Sequence, residues 1–240
     1  MRKTLLFIVA VTFIFLGITR LMTANSPSSQ SGPVAMTKEL QDQMTPAQIL
    51  QKFKEGNQRY LQGKMFHRDY VKEKDIAAAG QHPYAMILSC IDSRTPAEII
   101  FDKGIGDVFN ARIAGNFVNT DILGSMEFAT KVSGAKLILI MGHTNCGAIK
   151  SAVDNVQLGN ITALLSNIKP AVESVTGVPG DRTSKNAKFV EAVAKQNVLL
   201  AKKNITDKSP IIKEMVTAGQ VMIVGCMYDL ETGAVTFYND

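Results

Sequence analysis

The 240-residue chain has no tryptophan, only three histidines and three cysteines, and no uncharged apolar stretch of bilayer-spanning length. Three cysteines allow one disulfide at most, with a thiol left over, which is poor evidence for a disulfide scaffold. The apolar run from Leu5 to Ile18 has 14 residues, short of the ~20 that cross a bilayer as a helix. A strong basic excess is also missing. The formal charge is +5, but Arg2, Lys3 and Arg20 stand in the first 24 residues with no acid. From Asn25 onward 23 basic residues face 21 acidic ones. A remainder of +2 does not imply a polyanion partner, and a nucleic-acid function is not expected. Disorder as the main state is excluded by an apolar fraction of 46%, ordinary for a folded chain with one sizeable core.

What is present begins with a leader. Two basic residues precede the Leu5–Ile18 run, and Met1 to Ala24 reads as a signal peptide. The alternative is an uncleaved anchor, since Met22 is not the small residue preferred before a cleavage site and Arg20 follows the run as a stop-transfer charge would. Either reading places the folded part outside the cytoplasm or at its membrane, periplasmic or secreted, and membrane-bound only if the leader is retained. Residues 25–44 are read as a polar tether. Its first ten, NSPSSQSGPV, are expected to be disordered. The domain then occupies residues 45–240.

That domain shows a strand–turn–helix grammar. Thr45-Pro46-Ala47-Gln48 is a capping box with proline at the first helical position, opening an amphipathic helix to Leu61. Tyr84–Ser89 is a short apolar strand ending at Cys90. Thr95-Pro96-Ala97-Glu98 reads as a second capping box. Strands are expected at Asp107–Ile113, Lys136–Met141, Gln220–Met227 and Ala234–Tyr238, the last two forming a hairpin. Helices are expected near 121–133, 148–156, 161–175 and 184–203. Apolar strands separated by helices indicate an α/β fold, a mainly parallel sheet flanked by helices on both faces.

In such sheets ligands gather at the carboxyl ends of strands, where Cys90 and His143 both fall. Cys90-Ile91-Asp92-Ser93-Arg94 and His143-Thr144-Asn145-Cys146 bring two thiols, an imidazole, a carboxylate and a guanidinium to two strand ends. If those strands are neighbours, Cys90, His143 and Cys146 form a Cys2His set. Three protein ligands leave zinc a fourth, open position, the catalytic pattern. The alternatives are buried core thiols or a Cys90–Cys146 disulfide. Cys226, inside an apolar run, is read as a core residue.

The segments CIDSR (90–94), PAEIIFDKGIGDVFNARIAGN (96–116), SMEFA (125–129) and GHTNCGAI (142–149) resemble the β-class carbonic anhydrases, plant-type branch, over roughly Pro46 to the C-terminus. The resemblance implies one Zn2+ per chain on Cys90, His143 and Cys146, with Asp92 and Arg94 as a catalytic dyad. It implies substrate contacts from Gln81 and a pocket wall from Phe109, Ala114 and Phe128. It also implies a homodimer or tetramer with walls partly supplied across the interface. The family's allosteric branch has a tryptophan where this chain has Ile87 and a valine where it has Thr95, so bicarbonate gating of that type is not expected.

The implied reaction is reversible hydration of CO2 to bicarbonate and a proton through a zinc-bound hydroxide. Zinc lowers the pKa of bound water. Two thiolates neutralise the metal's charge, so the bound water should be less acidic than the ~7 of three-histidine sites and activity better at mildly alkaline pH. Asp92 would accept the hydroxide's hydrogen bond, with Arg94 holding it ionised. Gly147 would allow close approach of backbone at a helix start. His67 and His82 are proton-shuttle candidates or ordinary surface histidines. Two other functions remain open: hydrolysis of carbon disulfide or carbonyl sulfide on the same zinc, and a non-enzymatic zinc or thiol protein.

Overall fold

The computed structural model describes residue 32 and residues 36–238. The leader and most of the first ten tether residues therefore lie outside the described residues. Five strands form one sheet in the order β2-β1-β3-β4-β5. They are β1 (Ala85–Ser89), β2 (Val108–Arg112), β3 (Leu137–His143), β4 (Met222–Tyr228) and β5 (Val235–Phe237). The first four pair in parallel and β5 is antiparallel to β4, closing the expected hairpin.

Every residue of β1 and β3 is buried, because helices cover both faces and leave no polar side for alternation. Met86, Leu88, Ile138 and Ile140 point into one apolar layer with Phe189, Val193 and Val198. Ile87, Leu137, Leu139 and Cys226 point into the other with Ile49, Phe53 and Phe101. Cys226 is thus a core residue, as expected. Among the described residues no helix is long and apolar enough to cross a membrane.

Helix α1 (Lys38–Gln43) lies inside the stretch read as tether. Polarity hid it: its buried residue is Gln41, whose amide donates to the carbonyls of Pro83 and Ser133 at 2.8 Å each. Helix α2 (Pro46–Leu61) has the predicted capping box, with both reciprocal bonds made. It buries Ile49, Phe53, Gly56 and Asn57, a stripe at helical spacing. The β1–β2 connection holds α4 (Ala97–Ile100), preceded by α3 (Tyr70–Ala77) before β1.

A methyl group on Gly56 would sit 1.9 Å from the backbone carbonyl oxygen of Phe101, just past α4. No side-chain rotation relieves a clash with backbone. Gly56→Ala should therefore force α2 away from α4 and cost about 3 kcal/mol or more of unfolding free energy. Urea titration measures this, and an unchanged midpoint would show that the two helices separate freely.

Three helical expectations change. Thr95 does not cap α4: Pro96 is its N-cap, with no side-chain bond, and the Thr95 hydroxyl donates instead to the Asp92 carbonyl at 2.9 Å. The helix expected over 121–133 is α5 (Thr120–Glu127) followed by a π-helical turn, Phe128–Val132. The helix expected over 161–175 is two, α7 (Gly159–Ser166) and α8 (Lys169–Ser174). Pro170 lacks an N–H and starts a helix better than it continues one. Around β3 and β4 stand α6 (Gly147–Val153), α9 (Ala187–Lys208) and α10 (Pro210–Thr217).

At the amino ends of β1 and β2 lies a buried cluster of charge. Arg59 Nε meets Asp102 Oδ2 at 2.5 Å and Arg68 Nη1 meets Glu73 Oε1 at 3.0 Å. Asp107 Oδ2 accepts the Gly104 N–H at 2.7 Å. Beside them Lys103 is only 5% exposed. Its one hydrogen bond goes to the Lys52 carbonyl at 3.1 Å. Burial pulls its amine down to about 7, with Asp107 opposing and Arg59 assisting.

A lysine in the unfolded chain titrates near 10.4. Between these values the unfolded chain binds more protons, so the folded state gains stability as pH rises. In CO2-free buffer the native protein should gain on Lys103→Met by up to about 1.4 kcal/mol per pH unit between pH 7.5 and 9.5. Denaturant midpoints across that window check it. Parallel curves for the two proteins would mean that Lys103 keeps its charge on folding.

Candidate metal centre

β1 and β3 are neighbours, with Ser89 opposite Met141. Cys90 follows β1 and His143 ends β3, so the two ligand candidates emerge side by side. The chain then turns through Asn145, at φ 55°, and places Cys146 as N-cap of α6. Cys90, His143 and Cys146 are all buried, and their donor atoms lie within 4.8 Å of one another.

The two sulfurs are 3.9 Å apart, far beyond the ~2.05 Å of a disulfide, and both thiols are free. Two Zn–S bonds of ~2.3 Å in tetrahedral geometry separate sulfurs by about 3.8 Å. His143 Nδ1 contacts the Thr144 carbonyl at 2.8 Å. A carbonyl only accepts, so Nδ1 carries the proton and Nε2 presents its lone pair. Nε2 is buried without a hydrogen-bond partner, an orphan that a metal ion would satisfy. The residues present fit zinc.

Electrostatics agree. A hydrogen bond from Cys146 draws the Cys90 thiol below its ordinary value, helped by the Gly115 N–H at 3.4 Å. The same bond and burial push Cys146 up. One thiolate is thus favoured even in the bare pair, and a divalent ion is what would deprotonate the second.

Asp92 faces this trio, its Oδ2 3.9 Å from His143 Nε2. Arg94 holds it in a two-pronged grip, Nε to Oδ1 at 2.9 Å and Nη2 to Oδ2 at 2.7 Å. That grip keeps the carboxyl well below the usual carboxylate range. Asp92 is therefore turned to Arg94 and leaves the position facing the three donors open.

The match to known proteins follows the same residues. The family model described as carbonic anhydrase matches residues 85–235. Carbonic anhydrase 2 of Mycobacterium tuberculosis is 34% identical over 191 residues, covering 78% of this chain and 90% of that one. The carbonic anhydrase of Mycolicibacterium smegmatis is 32% identical over 208 residues, covering 85% and 93%. Among solved structures, the β-carbonic anhydrase CafA of Aspergillus fumigatus superposes with a TM-score of 0.60 at 27% identity, over 80% of this chain and 90% of that one. The chain belongs to the β-class carbonic anhydrase family. One of two tetrameric β-carbonic anhydrases of Sordaria macrospora matches with a TM-score of 0.60 at 25% identity, over 70% and 86%.

Not every candidate of this carbonic anhydrase gathers at the centre. Ala114 directly precedes Gly115, whose N–H donates to Cys90 Sγ at 3.4 Å. Phe109 does not gather there: it pairs in register with Met86, four residues before Cys90. It stacks edge-on with Phe128 at 6.4 Å between ring centroids, walling a separate hollow. Phe128 is 52% exposed. Gln81 lies before β1, at the end of the sheet away from Cys90, in a hollow with His82, Ile76 and Ile105. Within one chain, then, Gln81 lines one hollow and Phe109 and Phe128 another, neither of them lined by Cys90, His143 or Cys146. His82 lines the same hollow as Gln81, and His67 directly precedes Arg68 of the buried charge cluster. Gly147 is exposed at the start of α6, and a Cβ there would meet nothing within 4 Å. Packing within the chain does not require a glycine at that position.

Three residues that sequence reasoning missed hold the centre in place. Arg112 on β2 donates to the carbonyls of Cys90 (2.9 Å) and Asp92 (2.5 Å), clamping the loop that carries both. Buried Asn197 on α9 donates to the Gly115 carbonyl at 2.7 Å, steadying the N–H that Cys90 accepts. Thr144 accepts from the Leu230 N–H and donates its own N–H to Tyr228, which fixes the carbonyl that orients His143. For Arg112 the signal was its place at the end of a strand, which alone does not name a partner.

Proposed function

We propose that this carbonic anhydrase is a zinc enzyme that interconverts CO2 with bicarbonate and a proton. The observation that carries the proposal is an open Cys2His donor set facing a carboxylate held ionised by Arg94. Zinc on Cys90, His143 and Cys146 would supply Lewis-acid activation of water. Asp92 would take the hydrogen bond of the attacking water at Oδ2 and so aim its lone pair at the substrate carbon. Arg94 keeps Asp92 a pure acceptor, because a protonated Asp92 would present the wrong hydrogen-bond sense. Ala114 leaves room and apolar surface for an uncharged substrate.

The enzyme is read as a homodimer at least. Gln81, Phe109 and Phe128 stand away from their own chain's Cys90, so they serve as pocket wall only to a second copy's centre. The exposure of Phe128 and of Val132, 70%, supports that reading. Export to the periplasm or the medium rests on the leader, and cell fractionation tests it.

Stopped-flow CO2 hydration by zinc-loaded protein starting at Asn25 is the direct test, with carbon disulfide assayed beside it. Zinc-dependent turnover of CO2 is expected. No turnover at any pH with a full zinc complement would reject the proposal, and carbon disulfide turnover in that case would replace it.

A further inference from the structure

The zinc chemistry gives no role to the buried charges at the amino ends of β1 and β2, yet a cavity of about 340 Å3 opens beside them. Arg59, Arg68, Tyr84, Asp102 and Asp107 bound it, with Lys103 on its wall. Lys103 Nζ sits 4.5 Å from the Phe53 ring centroid and 5.6 Å from that of Tyr84. Among the described residues no carboxylate forms an ion pair with it. Nearby, buried Arg68 Nε and Asp102 Oδ1 face each other at 3.8 Å, beyond hydrogen-bond distance. The site therefore combines a buried amine that lacks an ion pair, room beside it, and two guanidinium groups on the cavity wall.

We propose that Lys103 is a site of reversible carbamylation by CO2. The uncharged amine's lone pair forms the N–C bond. One C=O π pair of CO2 becomes the lone pair of a carboxylate oxygen, and the surplus N–H proton leaves to solvent buffer. No oxidant, reductant or metal takes part.

The surroundings suit both partners of this addition. CO2 is small and uncharged, so it enters an aromatic-walled recess without losing hydration. Burial pulls the amine down to about 7, so a large share of it is nucleophilic near neutral pH. The charges that face it are Lys52, Glu55 and Arg59 on α2, Arg68 and Glu73 before and on α3, and Asp102 and Asp107. Of the acids, Asp102 is tied to Arg59 and Arg68, Glu73 to Arg68, Asp107 to the Gly104 N–H with Arg68 3.8 Å away, and Glu55 accepts from Gln51. Tyr84 stays neutral, its phenol pushed well above its ordinary value by burial. Arg59, which disfavours the ammonium, favours the carbamate anion.

The addition needs only dissolved CO2, so its test is independent of activity at Cys90. Zinc-loaded full-length protein is equilibrated with 13C-bicarbonate at pH 7.0 to 8.5 and observed by 13C NMR. The carbamate is then trapped with triethyloxonium and located by peptide mass spectrometry. One label per chain is expected on the Lys103 peptide, increasing across that pH range, vanishing on purging CO2, and absent in Lys103→Arg. Mapping of the native protein localises the label even if the variant misfolds. An unlabelled Lys103 peptide at saturating bicarbonate, or labelling no greater there than on surface lysines, would overturn the proposal.

Discussion

Cys146→Ser is expected to abolish zinc-dependent CO2 hydration, with a fall of at least about 10³-fold and zinc content well below one per chain. The argument is chemical before it is structural. A thiolate gives zinc a full negative charge and a soft donor atom, whereas serine offers a neutral hydroxyl that does not ionise near pH 7. Even loss of an outer partner of a metal ligand typically costs 10–100-fold in affinity, and a ligand itself should cost more. Cys146 is also 1% exposed, so no side chain from solvent can replace it. The fold should persist, since serine is nearly isosteric and burying its hydroxyl costs only about 1–3 kcal/mol. Metal analysis, circular dichroism and stopped-flow on one preparation separate these effects. A variant that keeps both zinc and turnover would remove Cys146 from the centre.

Asp92→Asn should spare the metal and damage the chemistry, lowering kcat by about 10²–10³-fold with zinc content unchanged. Asparagine keeps the shape of the side chain but can turn an N–H toward the attacking water, and its pairing with Arg94 loses charge assistance. Because Arg94 holds the Asp92 carboxyl far below the usual range, no ionisation of Asp92 should appear in the native pH–rate profile above pH 5. The sign is fixed: a depressed carboxyl pKa keeps the charged form as pH falls, so Asp92 should remain ionised even at mildly acidic pH. If Asp92→Asn turns over at the native rate, the Asp92–Arg94 pair only shapes the loop.

The sheet was legible because buried parallel strands are apolar throughout and end at recognisable turns. Tyr84–Ser89 and Lys136–Met141 need no alternation to be seen. Helix ends were legible where a cap is local, as at Thr45-Pro46. They failed where the same residues had a better partner in space. Thr95-Pro96-Ala97-Glu98 has the letters of a capping box, yet the Thr95 hydroxyl binds the Asp92 carbonyl in the loop Arg112 clamps. Helix α1 was missed because its buried contact is an amide satisfied by two distant carbonyls, and hydrophobic periodicity carries no trace of that.

Residue order alone carries the donor atoms of the candidate metal centre and the strand ends that bear them. Cys90, Asp92, Arg94, His143 and Cys146 sit within two short segments whose local structure is strongly encoded. Which other residues support that centre emerges from long-range packing. Gly115 and Asn197 are 82 positions apart yet share the bond that steadies Cys90. Gln81, Phe109 and Phe128 line hollows of their own chain that the three donors do not share. Lys103, one more lysine in a run of mixed residues, becomes a buried amine only when α2, β1 and the 102–107 turn close around it. Local patterning acts over a few residues. Desolvation and the pairing of buried polar groups act between segments that sequence order does not bring together.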